Sequence, residues 1–361
     1  MSLTAPQWLE KIRALPLPSK VKIMNVCGGH ERTITMAGLR SVLPTLIELI
    51  PGPGCPVCIC PEEDIYTAIQ LALKEKITLV AFGDMLRVPV NVSKNAVRSL
   101  EQAKAMGADI RPIASPLEAL QIAQQQPKQT IVFFAAGFET TIAPVAALIA
   151  QGIPNNLLIL LSGRLTWPAI ALLLETGQAA FDGLIAPGHV ATVMGAAEWQ
   201  FVVEKYHLPT AVAGFTPESL LAALYSILRQ LIESNYFLDN CYPQVVKPKG
   251  NPTAQRYLAT TMTIVDANWR GIGTIPSSGF SLKSAQQDAR RQFPDYANQA
   301  RQRRGEMPPG CDCAQVLLGH IYPNQCRLYS NACTPRNPVG PCMVSEEGAC
   351  RIWWAGGVRN E

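Results

Sequence analysis

Nine of this chain's eleven cysteines fall into two groups. Cys27, Cys55 and Cys58 lie in glycine-rich stretches near the start, and Cys311, Cys313, Cys326, Cys333, Cys342 and Cys350 crowd the end. Thiols in such number are tied up as disulfides, bound to metal or used as redox groups. Cys55 and Cys58 form Cys-Pro-Val-Cys, the spacing of thiol–disulfide redox pairs. Behind them Pro61 opens a helix with Glu62, Glu63 and Asp64 in its first turn. The positive end of that helix favours thiolates, and the acidic turn partly offsets it. A half zinc knuckle is the competing reading, but no second Cys-x-x-Cys completes it.

Cys27 and His30 are separated by two glycines, which lets the backbone approach a ligand closely and can set an imidazole beside a thiolate. A Cys–His hydrolase is one outcome. Three cysteines in one cleft suit a soft metal better. The six C-terminal thiols exceed the four that an iron–sulfur cluster takes. Twelve residues separate Cys313 from Cys326 and six separate Cys326 from Cys333, unlike the compact ferredoxin run. Zinc stays open as an alternative, and the two thiols beyond a cluster could form a disulfide beside it.

Gly137-Phe138-Glu139-Thr140-Thr141 follows a strand, opens a helix and could cradle an anion. It is neither a Walker A sequence nor a dinucleotide fingerprint. Glu139 is a general base or a charge at a helix start; His189 is a cleft ligand or proton donor, or a structural histidine. His207 and His320 belong to no motif.

These residues need elements to position them. From residue 21 to about 235, short β-branched runs alternate with helical stretches. The expected strands are Val21–Val26, Thr45–Ile50, Ile77–Phe82, Ala108–Ile113, Thr130–Phe134, Asn156–Leu161, Asp182–Ala186 and Thr210–Ala213. Ser115-Pro116-Leu117-Glu118 is a capping box, and Gly107 and Gly152 stop helices. Such alternation predicts parallel sheets covered by helices. We expect two similar parallel-sheet α/β domains, residues 1–127 and 128–236, followed by a loop-rich cysteine unit over 237–361. Every unusual loop, including Gly83-Asp84, Pro187-Gly188-His189 and Gly214-Phe215-Thr216, then lies at the carboxyl end of a strand, where open sheets bind ligands.

With 48% apolar residues the chain can bury a large core, and a net charge of +4 is small for 361 residues. Arg290, Arg291, Arg301, Arg303 and Arg304 cluster, but Asp288, Asp295 and Glu306 interrupt them. A solvated helix face or linker is expected there rather than a nucleic-acid site. No apolar run reaches the ~18 residues of a membrane span. The N-terminus has no export pattern, so a reducing, cytoplasmic setting is expected.

The chain resembles the HypD family of NiFe-hydrogenase maturation proteins. The segments that carry this are Cys27-Gly-Gly-His30, Gly52-Pro-Gly-Cys55-Pro-Val-Cys58, Gly83-Asp84-Met-Leu-Arg87-Val-Pro89 and Gly137-Phe-Glu139-Thr-Thr. They continue with Pro187-Gly-His189-Val190, Asp266-Ala-Asn-Trp269-Arg270-Gly271, Cys333-Thr-Pro, Pro338-Val-Gly-Pro-Cys342 and Glu347-Gly-Ala-Cys350. The resemblance implies two α/β domains, a C-terminal 4Fe–4S cluster, and a role in building the Fe(CN)2CO group. It implies two partners, a small HypC-type chaperone and a HypE-type cyanide donor. Cys27 would hold the iron that bears CN and CO, while His30, Asp84 and Glu139 manage protons. Cys55 and Cys58 would be the redox pair. Cys313, Cys326, Cys333 and Cys350 would hold the cluster, with Cys311 and Cys342 as an adjacent redox disulfide. Departures from the family pattern are the extra thiol Cys60, Cys241 outside every motif, Glu31-Arg32, Val90-Asn91 and Ser162-Gly163-Arg164. The rival expectations are an iron–sulfur thiol–disulfide oxidoreductase acting on protein disulfides and a zinc-stabilised binding protein.

Overall fold

A computed structural model describes residues 3–93, 95–301 and 307–359. The strands are β1 (Val21–Asn25), β2 (Ile47–Pro51), β3 (Ile77–Phe82), β4 (Ile110–Ile113), β5 (Thr130–Gly137), β6 (Leu157–Gly163), β7 (Gly183–Pro187) and β8 (Thr210–Ala213), then β9 (Leu238–Asn240), β10 (Met262–Trp269) and β11 (Gly273–Leu282). All eight expected strands form. β5 and β6 run on together to Gly137 and Gly163 because their ladder stays in register that far. Helix punctuation also follows the sequence. The Ser115 hydroxyl accepts from Leu117 N–H at 3.2 Å, and Glu118 accepts from Ala114 N–H at 3.1 Å. Gly107 and Gly152 end their helices at φ +101° and +93°, the left-handed region that favours glycine.

Two wholly parallel sheets result, ordered β2-β1-β7-β8-β9 and β4-β3-β5-β6. Helices cover both faces, so β3 and β6 read as near-continuous apolar runs rather than alternating ones. The fold class is the expected one, but the division of the chain is not. The expected cut at residue 127 falls between β4 and β5 of one sheet, and residues 128–236 supply strands to both. The chain lays down β1 and β2, builds the whole four-stranded sheet, and returns to the first sheet with β7. Local alternation marks where strands are and says nothing about which of them pair.

The expected boundary at 237 also shifts. β9 extends the five-stranded sheet, and the antiparallel β10–β11 hairpin packs on the other one, with Phe280 and Leu282 entering its core beside Ile159. The loop-rich cysteine unit starts only after this hairpin. Arg290, expected on a solvated face, is drawn inward to Asp64 at 2.6 Å. Arg303, Arg304 and Glu306 of the same basic stretch lie outside the described residues.

Candidate functional site

Cys27 follows β1 and caps the helix Gly28–Met36, whose Gly29 and His30 N–H groups face its half-buried sulfur. Burial, and then the Glu347 carboxylate, push this thiol up to about 12. Glu347 belongs to the cysteine unit and lies directly across Gly28, where a Cβ would stand 2.5 Å from its Cβ and carbonyl oxygen. Gly28 N–H in turn donates to Gly54 O at 3.2 Å, which joins the Cys27 loop to the next one.

That next loop carries a closed Cys55–Cys58 disulfide with the Cα atoms 5.3 Å apart. Cys55 caps the short helix Pro56–Ile59, and its sulfur accepts from Cys58 N–H at 3.2 Å. Both cysteines are buried. The helix packs against the turn Pro341–Met343, which carries Cys342. The acidic turn behind them is neutralised locally. Glu62 accepts from Asn91 N–H at 2.7 Å, and Asp64 bonds Ser162 and Arg290 at 2.6 Å each. Cys60 is buried 3.4 Å from the Ser162 hydroxyl, and burial followed by Asp64 pushes it up to about 12. It is a poor nucleophile.

His30 is fully buried, and its Nε2 lies 3.0 Å from Ala213 O. Since a carbonyl only accepts, Nε2 carries the proton and Nδ1 is left as a bare acceptor without a partner. Burial pulls this imidazole down to about 4, so it is neutral. Phe215 stacks on His189 at 3.7 Å and lies 4.9 Å from His30, gathering three of the carboxyl-edge loops.

Asp84 accepts from the Ser345 hydroxyl at 3.1 Å and from Glu346 N–H at 3.3 Å, which moors the cysteine unit. Asp84 and Glu347 line a cleft of about 650 Å³ at the carboxyl ends of β3, β4 and β5, together with Pro56, Val57 and Thr141. Glu139 does not line it. Its carboxylate is buried against Thr166, accepting from the backbone at 2.6 Å and the hydroxyl at 2.7 Å, and burial raises it to about 7. Glu198 is raised to about 9 by burial and by Glu139.

Sequence reasoning missed Glu347 and Glu198 as site neighbours, and it read Glu31 only as a departure. Glu31 is buried and accepts from Asn25 at 2.9 Å, Arg40 at 2.9 Å and the Trp353 indole at 2.6 Å. It fastens the Cys27 helix to the terminal helix Ala349–Ala355. Its partner 322 residues away leaves no local signal.

The six C-terminal thiols converge. The sulfurs of Cys313, Cys342 and Cys350 lie within 4.8 Å of one another, a buried trio able to bind a metal. Cys350 accepts hydrogen bonds from the other two and is pulled down to about 6, which leaves a thiolate already poised as a soft ligand. Cys311 Sγ donates to Cys313 Sγ at 3.3 Å and packs in the same cluster as Cys326 and Cys333. Cys333 Sγ also accepts from Val339 N–H at 3.3 Å. This chemistry fits an iron–sulfur donor set. The expected Cys311–Cys342 bond is not formed. Both are free thiols, and Cys342 hydrogen-bonds with Cys313 and Cys350. Cys241 is a half-buried thiol just past β9, at the edge of the five-stranded sheet opposite β2. Among the described residues no helix is long and apolar enough to cross a membrane.

Comparison with known proteins agrees with this inventory. The HypD family profile, described as "Hydrogenase formation hypA family", matches residues 4–357. Hydrogenase maturation factor HypD of Escherichia coli is 38% identical over 340 residues, covering 92% of this chain and 88% of that protein. Hydrogenase maturation factor HypD2 of Bradyrhizobium diazoefficiens is 38% identical over 359 residues, covering 96% and 92%. HypD of Rhizobium leguminosarum is 38% identical over 365 residues, covering 97% and 92%. With its thiols gathered as described and its length matched nearly end to end, this chain belongs to the HypD family of hydrogenase maturation factors.

Proposed function

We propose that this maturation factor is the scaffold and redox protein on which the Fe(CN)2CO group is assembled. It would work with a HypC-type chaperone and a HypE-type cyanide donor, in the cytoplasm. The observation that carries this reading is one continuous arrangement of sulfur. Cys27 shares a backbone interface with the Cys55–Cys58 loop, and that loop packs on the turn bearing Cys342.

In this reading Cys27 is the soft anchor for the incoming iron, which strong-field ligands hold as low-spin Fe(II). Glu347, beside that thiol, takes its proton as the metal arrives. His30 stays neutral, with Nδ1 as an acceptor. Cys313, Cys326, Cys333 and Cys350 would hold the 4Fe–4S cluster, and Cys311 and Cys342 would form the neighbouring dithiol. The support is that Cys313 lies with Cys350 in the buried trio whose sulfurs are within 4.8 Å of one another, while Cys311 is outside that trio and donates to Cys313 at 3.3 Å. Bound there, the cluster supplies electrons. Reduction of Cys55–Cys58 breaks one S–S bond and takes up two electrons and two protons.

The test is anaerobic purification of the wild type and Cys27→Ala with the chaperone, followed by iron analysis and infrared spectroscopy of the CN and CO bands. Loss of both from the variant supports the reading, and full retention removes Cys27 from its role. Acting on protein disulfides in general is less well supported, because Cys55 and Cys58 are 2% and 1% exposed and a bulky substrate disulfide cannot reach them directly.

A further inference from the structure

The turn joining β10 to β11 carries Trp269, Arg270 and Gly271 and is wedged between the two groups of thiols. On one side Arg270 N–H donates to Ile59 O at 3.0 Å, between Cys58 and Cys60. On the other, a Cβ on Gly271 would meet Met307 at 2.9 Å and Ala314, the neighbour of Cys313, at 3.0 Å. Trp269 shares an apolar cluster with Cys55, Cys58, Cys313 and Cys342. The Arg270 side chain is 0% exposed and donates from Nη2 to Pro89 O at 2.8 Å. Burial works against its charge, and Glu62 works for it. A guanidinium keeps its proton, and in a low-dielectric interior its field acts on nearby sulfur far more strongly than in water.

We propose that Arg270 is a positioning charge that sets the redox balance of Cys55–Cys58. This rests on the reading of Cys55–Cys58 as a redox pair. When a dithiol reductant opens the bond, it delivers two electrons and two protons and closes into its own disulfide. The uncharged disulfide gains nothing from Arg270, whereas any thiolate left on the open pair is stabilised by it. Arg270 therefore favours the reduced form, and Glu62 opposes it by neutralising Arg270.

The full chain is equilibrated anaerobically in buffers of reduced and oxidised dithiothreitol. The reduced fraction of Cys55 and Cys58 is read by differential alkylation and peptide mass mapping. Arg270→Met is expected to lower the reduction equilibrium constant about tenfold, or about 30 mV for a two-electron couple. Arg270→Lys, which keeps the charge, is expected to stay within about threefold of the wild type. Glu62→Gln is expected to raise the constant. A folded Arg270→Met chain with an unchanged constant overturns the proposal. If Arg270→Met does not fold, Glu62→Gln decides: a rise supports the proposal and an unchanged constant overturns it. A wild-type pair that never opens in the folded chain instead removes the redox reading beneath the proposal.

Discussion

Gly54 and Cys27 touch through their backbones. A Cβ on Gly54 would stand 2.5 Å from both Cα and N of Cys27, leaving no room for a side chain between the disulfide loop and the loop bearing the single thiol. The requirement here is space. Gly54→Ala must push the two loops apart, and overpacking of this kind costs about 1–3 kcal/mol. A lower denaturation midpoint together with faster alkylation of Cys27 is the expected result. Unchanged stability would show that the loops are not in contact.

The bond from Trp353 to Glu31 ties the cysteine unit to the Cys27 helix. Trp353→Phe keeps the packing and removes a hydrogen bond to a charged group, which costs about 1.5–3 kcal/mol. Although burial works to raise it, Arg40, Asn25 and Trp353 hold Glu31 below its ordinary value of 4.5. Its stabilising contribution is therefore present above that value and lost as pH falls through the lower, folded-state value. Acid unfolding of Glu31→Gln should begin from a lower stability and show a shallower dependence on pH.

His30 should confer a second pH dependence. Its imidazole falls from 6.5 to about 4 on folding, so protonation favours the unfolded chain. The contribution is complete above 6.5 and disappears as pH drops toward 4, amounting to about 3 kcal/mol. Urea unfolding between pH 7 and 4 should be steeper for the wild type than for His30→Gln. Equal slopes would mean that the ring is solvated.

Among the C-terminal thiols, serine substitutions should separate two roles. Cys313→Ser removes a thiol of the buried trio with Cys342 and Cys350, and should abolish most of the iron and acid-labile sulfide in anaerobic preparations. Cys311→Ser should retain most of both. The reverse pattern would move Cys311 into the ligand set in place of Cys313.

The strands, helix caps and chemistry-bearing loops were legible in the sequence because each depends on neighbours a few residues away. Buried runs such as Ile77–Phe82 are apolar at all but one position, and Ser115 and Gly107 act on their own turns. The thiol groups were legible as an inventory. Their partners were not: Cys342 meets Cys313 rather than Cys311, and Glu347 reaches Gly28, because those contacts join residues far apart in the chain.

Local residue pattern by itself determined that this protein has parallel sheets, loops of Cys, Gly and His at their carboxyl edges and an excess of soft ligands at its end. Only the tertiary structure decided that one sheet is inserted within the other, that Glu31 and Arg270 are buried, and which sulfur faces which. Periodicity records how each segment is covered. Pairing depends on how covered segments pack together, and that is fixed by contacts between distant segments which no single stretch of sequence contains.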